Sequence, residues 1–186
     1  MKTEKDIIKC ESTYSDDREH RFVWKRVWNK DKPLAAVITI NPFFADNFII
    51  DTSSGLVINN IVRLEKYGGV EILNLYSRMT RKLNFKWNSE EELNLPDNDI
   101  FIKKAAEECD IVILAWGKSV YNNPKSEARA LSVINMLQEH KKKLYYISDG
   151  EKEGILHPLF PSIRNGWILK PFYDSTPASS ENNGPV

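Results

Sequence analysis

Three mostly apolar runs, separated by segments with helical periodicity, constrain what this chain can fold into. The runs cover residues 34–40, 70–75 and 111–116, and the second contains the polar residues Glu71 and Asn74. Apolar runs without alternation are typical of strands buried on both faces of a parallel sheet. A half-exposed strand shows alternation instead, as residues 21–28 partly do. We therefore expect three central strands of an α/β sheet at the apolar runs.

The segments between and after these runs predict helices and further strands. Residues 53–64 carry apolar side chains at helical spacing, and Gly68-Gly69 follows as a C-cap and turn would. A later helical stripe begins after Pro124 and ends in three lysines, which suit the negative pole of the helix dipole. The remaining predicted elements are a helix at 98–108 and strands at 144–147 and 167–169.

Alternating strands and helices predict the fold class and the domain organisation. The order favours an α/β protein, specifically a three-layer α/β/α sandwich with a small, mostly parallel central sheet. A chain of 186 residues fits one domain that buries a full core unaided. We expect a polar N-terminal arm over 1–20, a single α/β domain over 21–170 and a disordered tail over 171–186.

The composition excludes several classes of protein. Lys and Arg number 26, as do Asp and Glu, so no global positive field is available and nucleic-acid binding would need a local patch. Cys10 and Cys109 belong to no CxxC or Cys/His cluster, so we expect no structural metal and no disulfide framework. We also expect no cofactor. No apolar run approaches the roughly 18 residues of a membrane span. We predict a cytoplasmic monomer with no membrane contact.

Polar side chains stand where the chain leaves the predicted strands. Asn41 follows the first run, Asn74 lies near the end of the second, and His157 occupies a late Pro-containing loop. Ligands of open α/β sheets bind outside the carboxyl ends of the strands. The positions therefore predict two amides and an imidazole at one cleft.

Four short motifs in one order carry a resemblance to a known family. They are Asn41-Pro42, Asn74-Leu75, Trp116-Gly117 and His157-Pro158-Leu159. From about residue 21 to 169 the chain resembles the domain-of-unknown-function family numbered 1643. That family usually reads NPSTAD after its first core strand, where this chain has NPFFAD over 41–46. The DPT element that follows appears here as Asp51-Thr52-Ser53.

The same order of motifs is similar to that of the uracil-DNA glycosylase superfamily. There a first strand ends in D-P or N-P, a second in LLN and a third in LLWG, and an HP loop follows. The resemblance implies a uracil-DNA-glycosylase-like fold. It also implies a metal-free hydrolase that binds a flipped-out, native or modified base and hydrolyses its N-glycosidic bond, in DNA repair or in defence.

The chemistry of that reaction assigns roles to four candidate catalytic residues. Cleavage leaves negative charge on the departing base, which His157 would stabilise by donating a hydrogen bond. The resemblance places Asn41 at the water-positioning site. An amide cannot take the proton of that water, so Asp46 or Asp51 is a candidate assistant. The alternatives are that Asn41 caps the turn before Pro42 and that His157 packs in a Pro-rich turn.

Four further residues are predicted to bind the base. Asn74 offers a donor and an acceptor in one plane and would read the Watson–Crick edge. Pro42 and Phe43 would line the pocket, since uracil-specific members carry an aromatic residue at the Phe43 position. Leu159 is a candidate wedge in the base stack. The alternatives are that Asn74 satisfies loop backbone and that Leu159 anchors the core.

A basic and aromatic stretch is predicted to contact the nucleic-acid backbone. Cations neutralise phosphates and aromatic rings stack on unpaired bases, whereas the acidic residues at 90–92 weaken the local field. The expected partner is single-stranded DNA or a locally opened duplex. The candidate backbone contacts are Arg78, Arg81, Lys82 and Lys86, which flank Phe85 and Trp87, together with Arg164 in the late loop.

Two other interpretations compete with the enzyme. In the first, the same pocket is a non-catalytic module that binds a nucleotide or nucleic acid, as the missing carboxylate in the first motif favours. In the second, an interaction protein uses an aromatic face around Trp24, Trp28 and Trp87. Only the enzyme and the module require Asn41, Asn74 and His157 to share a pocket.

Overall fold

Four parallel strands form the centre of the sheet in the computed structural model, which describes residues 1–44, 46–151 and 154–173. They correspond to the apolar runs and to the fourth predicted core strand. Their bounds are Leu34–Thr39 (β3), Gly69–Asn74 (β4), Ile111–Leu114 (β5) and Leu144–Ser148 (β6). Within the sheet they lie in the order β4-β3-β5-β6.

Antiparallel strands extend the sheet at both edges. Lys9–Tyr14 (β1) pairs with Arg21–Val27 (β2), β2 pairs with β4, and Ile168–Pro171 (β7) pairs with β6. The described residues thus form a seven-stranded mixed sheet, and the prediction of a small, mostly parallel sheet is wrong. Apolar runs report burial on both faces, but they do not report the direction of the neighbouring strand. The mostly exposed β1 also gave no apolar signal, since it needs only backbone pairing.

The described residues form four α-helices, and side-chain caps begin three of them. The helices are Thr52–Arg63 (α1), Glu90–Leu93 (α2), Asp97–Glu108 (α3) and Pro124–Met136 (α4). Asp51 caps α1, a capping box starts α2, and Asn123 caps α4. The short α2 lies in a stretch without helical periodicity. In the described part of the chain, every helix is too short or too polar to cross a bilayer.

The apolar residues of the central strands belong to two clusters on opposite faces of the sheet. Successive strand residues point to opposite faces. Accordingly, Ala36 and Ile38 of β3 join the cluster that contains α3 and α4. Ala35 and Val37 join the cluster that contains α1. Helices therefore cover both faces of β3, which explains its unbroken apolar run.

Strand β2 is more buried than its partial alternation predicted. Trp24 is fully buried, and Arg21 and Arg26 are nearly so. The Arg26 guanidinium lies 3.6 Å from the centre of the Trp24 ring, and Trp24 Nε1 donates to the Asp46 carbonyl (3.1 Å). The loop after β3 thus covers β2, a long-range contact that local alternation does not report. Because Trp24 is buried, the proposed aromatic face around it is not formed.

The two chain ends differ in how far they are described. β1 lies inside the predicted N-terminal arm. At the other end, β7 and the backbone bond from Phe172 N to the Leu144 carbonyl (2.9 Å) tie residues 168–172 to the sheet. Of the tail predicted over 171–186, residues 174–186 lie outside the described residues.

Buried polar side chains hold the carboxyl end of β4. Asn98 of α3 donates from Nδ2 to the Asn74 carbonyl (3.0 Å) and to Asn94 Oδ1 (2.8 Å). Arg129 of α4 donates from Nε to the Leu75 carbonyl (2.8 Å) and pairs with Asp99. These contacts satisfy carbonyl groups that leave the sheet, and they place Asn74.

We expect Asn98→Ala to lower the free energy of unfolding by about 2 kcal/mol. The change removes buried hydrogen bonds and leaves a buried carbonyl without this donor. Urea denaturation measures the loss. Asn59→Ala, on the exposed face of α1, is the matched control and should stay within about 0.5 kcal/mol of the parent. Equal effects of the two changes would contradict a structural role for Asn98.

Candidate functional site

A cleft opens at the carboxyl ends of β3 and β4. Its cavity volume is about 40 Å³, well below the roughly 300–1,000 Å³ of small-molecule sites, and its empty space reaches about 350 Å³ only when the open mouth is included. The cleft brings together five residues that the sequence singled out, and its lining also includes residues that the sequence did not, among them Arg21 and Thr39. The five predicted residues are Asn41, Phe43, Asp51, Asn74 and His157.

The position of the cleft follows from the strand order. The chain passes from β3 through α1 to β4 on one side, and later returns to β5 on the other side of β3. Loops that leave neighbouring strands in opposite directions open a crevice between them. The loop after β3 supplies Asn41 and Asp51. His157 comes from a later turn that packs against Gly117, which follows β5.

Asn74 offers a hydrogen-bond donor with no protein partner. It is the last residue of β4 and 1% exposed. Its Oδ1 accepts from the hydroxyl of Thr39 (2.7 Å), the residue paired with it across β3. Among the described residues its Nδ2 has no acceptor. A buried donor without a partner costs about 1–3 kcal/mol, so its retention at a cleft points to a ligand acceptor.

His157 is held as a neutral donor. Its Nδ1 accepts from the backbone N–H of Leu159 (3.2 Å), so the ring proton lies on Nε2 in the neutral form. Burial lowers the pKa of His157, and the nearby charge of Asp51 opposes that shift. Near neutral pH the ring is therefore uncharged, with Nε2–H as its donor.

Gly117 allows His157 to approach the end of β5. Its φ is +85°, and a Cβ at this position would lie 2.8 Å from the Cβ of His157. A side chain here would therefore be strained by both the backbone and the contact. The glycine of the Trp116-Gly117 motif therefore allows the close approach of His157.

Asn41 joins the two loops that leave β3 and β4. Its Nδ2 donates to the Thr80 carbonyl (2.7 Å), and Thr80 N donates to the carbonyl of the buried Pro42 (3.1 Å). The Asn41 Oδ1 accepts no hydrogen bond from the described part of the chain and remains available. An amide oxygen can orient a water molecule, although it is too weak a base to deprotonate one.

Asp51 supplies a carboxylate to the cleft and also starts α1. Its Oδ1 accepts from Ser54 N (3.1 Å) and its Oδ2 from the Ser54 hydroxyl (2.7 Å). Burial lowers the pKa of Arg21, whereas Tyr14 and Asp51 raise it. Arg21 was not recognised as a site residue because a basic residue beginning a partly alternating strand indicates exposure. Thr39 gave no signal of its own.

Asp46 does not line the cleft. Its Oδ1 accepts from the backbone N–H groups of Phe48 (2.7 Å) and Ile49 (2.8 Å), which lowers the pKa of this exposed carboxyl. Its carbonyl accepts from Trp24. Asp46 therefore stabilises the loop after β3, and the geometry provides no support for its assignment as a catalytic residue.

The predicted backbone contacts fall into two groups. Arg78 forms a 2.6 Å ion pair with Glu19, and Arg164 donates from Nε to the Leu159 carbonyl (2.9 Å), so both brace the protein itself. Arg81, Lys82 and Lys86 are exposed. Leu159 is 38% exposed at the tip of the His157 turn, as a wedge requires. The outer cations are thus the ones placed to meet a ligand.

We expect Asp51→Asn to lower the pKa of His157 further, because the charge of Asp51 is the interaction that raises it. Asparagine preserves the helix cap, so the fold should survive. Imidazole NMR titration, assigned with His157→Gln, measures the midpoint and the tautomer. Asp97→Asn, in the first turn of α3, removes an equal charge outside the cleft and should leave His157 unchanged. A rise in the midpoint, or a proton on Nδ1, would contradict this assignment.

Gly117→Ala should destabilise the protein by about 1–3 kcal/mol and displace the His157 ring. Thermal denaturation measures the stability, and the NMR signals of Leu159 N–H report the loss of its bond to Nδ1. Gly150→Ala separates the two causes, since Gly150 has φ +87° but its added Cβ would meet nothing closer than 3.9 Å. If both variants left the Leu159 signal unchanged, the close approach to Gly117 would not position His157.

A family model described as "Protein of unknown function (DUF1643)" matches residues 21–159. The matched range runs from the start of β2 to the turn that holds His157, and it includes the lining residues of the cleft. No curated protein matches the chain.

Proposed function

The chain belongs to the DUF1643 family, whose description names no activity, and we propose from its cleft that the protein is a DNA N-glycosylase. It binds a flipped-out base, native or modified, and hydrolyses the N-glycosidic bond with its own side chains. The three-layer, uracil-DNA-glycosylase-like fold, the monomeric state and the cytoplasmic location belong to the same proposal. The order of the four sequence motifs supports it.

The observation that carries the proposal is a pair of donors in one cleft. Asn74 Nδ2 is buried without a partner among the described residues, and Nε2–H is the ring donor of neutral His157. Both residues line the same space. A ligand that satisfies both must accept two hydrogen bonds, as the carbonyl oxygens of a pyrimidine base can.

The proposed reaction breaks the bond between the sugar C1′ and the base nitrogen. The bonding electron pair leaves with the base, and the resulting negative charge spreads onto the base oxygens. Fixed donors on Asn74 and His157 stabilise that charge without a proton transfer, and the positive charge of Arg21 adds to their field. A base leaving as an anion thus suits a neutral imidazole.

Water completes the reaction at C1′. Asn41 Oδ1 holds the water, and its oxygen forms the new bond to the positively charged sugar. The released proton passes to the carboxylate of Asp51 or to solvent. Asp51 retains acceptor capacity beside its two bonds to Ser54, since a carboxylate has about four lone-pair sites.

A non-catalytic binding module is the second candidate. It is favoured because both Asp51 oxygens already accept from Ser54 and the group at the water position is an amide. In this case the cleft holds a nucleotide or an unpaired base of a nucleic acid, and no bond breaks. The donor pair serves recognition alone.

The decisive assay uses single-stranded and duplex DNA carrying uracil, mismatched thymine or enlarged modified pyrimidines. We expect alkali-labile abasic sites with at least one substrate. His157→Gln should lower the cleavage rate by about 10²–10³-fold, the usual cost of losing one such donor. His140→Gln changes the same residue type outside the cleft and should retain the parental rate.

Two further variants separate recognition from water positioning. Asn74→Asp keeps the shape and removes the donor, so it should weaken base binding. Asn41→Ala should slow cleavage while binding is retained. Binding without cleavage of any substrate would establish the binding module. If neither binding nor cleavage changed in the His157→Gln and Asn74→Asp variants, both functions would be excluded from this cleft.

A further inference from the structure

The loop after β3 exposes aromatic side chains at the mouth of the cleft. Phe43 lines the cleft and is partly exposed, and Phe44 beside it is 59% exposed. Their rings contact edge to face, with centres 5.9 Å apart. Further along the loop, Ser12 Oγ donates to Asn47 Oδ1 (2.7 Å) and Trp24 Nε1 donates to the Asp46 carbonyl. These contacts tie residues 46 and 47 to β1 and β2.

The loop after β4 continues this surface with cations. It is bonded to the first loop through Thr80, which contacts Asn41 and Pro42. Arg81, Lys82 and Lys86 follow, all exposed, and the ion pairs of the described residues include none of them. Trp87 is 74% exposed, and Lys86 Nζ lies 5.0 Å from its ring centre. Exposed aromatic side chains thus accompany cations that form no ion pair among the described residues, one of which lies over the Trp87 ring.

We propose that this surface binds single-stranded DNA, which runs from Phe43 and Phe44 along Arg81 and Lys82 to Trp87. The inference rests on the proposed function in that the cleft receives a base of the same strand. Rings stack on unpaired bases, and the cations neutralise the phosphates between them. Arg78 and Arg164 stay outside the path because they are bound within the protein.

Charge and exposure favour a single strand over a duplex. A duplex hides its base faces in its own stack and is held through a broad positive surface. Here the net charge is zero, and Glu90, Glu91 and Glu92 lie exposed beyond the cations. The exposed positive charge of this surface is therefore confined to a short stretch between Arg81 and Lys86, which suits one phosphate backbone better than two. A base that starts unpaired also enters the cleft without the cost of breaking a pair.

Fluorescence anisotropy with the full chain tests the proposal. The probes are labelled oligo(dT), on the order of 15 nucleotides, and a blunt duplex of the same length. We expect at least roughly tenfold tighter binding of the single strand. Phe44→Ala should weaken that binding by roughly 5- to 150-fold, which corresponds to a stacking loss of about 1–3 kcal/mol. Ile100→Ala, an exposed apolar change on α3, should have no effect.

Salt dependence identifies the phosphate contacts. Each contact to a single strand adds about 0.7 to the slope of log affinity against log salt, so Arg81→Ala with Lys82→Ala should lower its magnitude by about 1.4. Lys141→Ala with Lys142→Ala removes the same charge from the end of the protein where β6 begins, and should leave the slope unchanged. An unchanged slope in the Arg81 and Lys82 variant would overturn the path.

Other results assign the surface differently. Equal or tighter duplex binding overturns the proposal, as does stronger binding of oligo(U) RNA. Binding of phosphatidylserine vesicles in place of DNA, lost with Arg81 and Lys82, makes the surface a lipid contact. If the single strand binds with the expected effects of salt and substitution but no base is cleaved, the glycosylase proposal is wrong and the binding surface stands. If a base is cleaved but the single strand is not preferred, only the binding surface is wrong.

Discussion

The site depends on the parallel pairing of β3 with β4, which sets Thr39 beside Asn74 at the carboxyl end of the sheet. The Thr39 hydroxyl occupies Oδ1 of the amide, so the unsatisfied group of Asn74 is its donor. Asn98 and Arg129 hold the carbonyls of residues 74 and 75 from the helices that follow. A slip of one residue in this register would turn Asn74 to the other face and remove the cleft's buried donor.

A second constraint joins the imidazole to the same space. Gly117 lets the His157 turn approach the end of β5, and the Leu159 N–H selects the tautomer. Burial keeps the ring neutral, while Arg21 and Asp51 place one charge of each sign in the cleft. These polar groups are set before a ligand arrives, which is the condition for electrostatic stabilisation of a developing anion. The same arrangement binds an acceptor-rich ring if no bond is broken.

Particular residues show how far sequence reasoning reached. The apolar runs predicted β3, β4 and β5. The polar residues near the ends of predicted strands and in the late loop predicted that Asn41, Asn74 and His157 line the cleft. The prediction of a mostly parallel sheet was wrong, because β1 is polar and gave no signal and because no local pattern reports that β2 and β7 pair antiparallel. Asp46 and Asp51 were equal candidates in the sequence, yet only Asp51 lines the cleft. Arg21 was missed because basic residues in a strand usually indicate solvent exposure.

The sequence by itself determined the central strands, the three longer helices and the polar residues at the ends of these strands, because periodicity and caps act within a few residues. The tertiary structure alone decided which strands are neighbours, that Trp24 is buried, and that Arg78 and Arg164 are bound within the protein. It also decided that the donor of Asn74 stays unpaired among the described residues and that the proton of His157 lies on Nε2. These properties depend on partners distant along the chain, and no local pattern records which hydrogen bonds such partners complete.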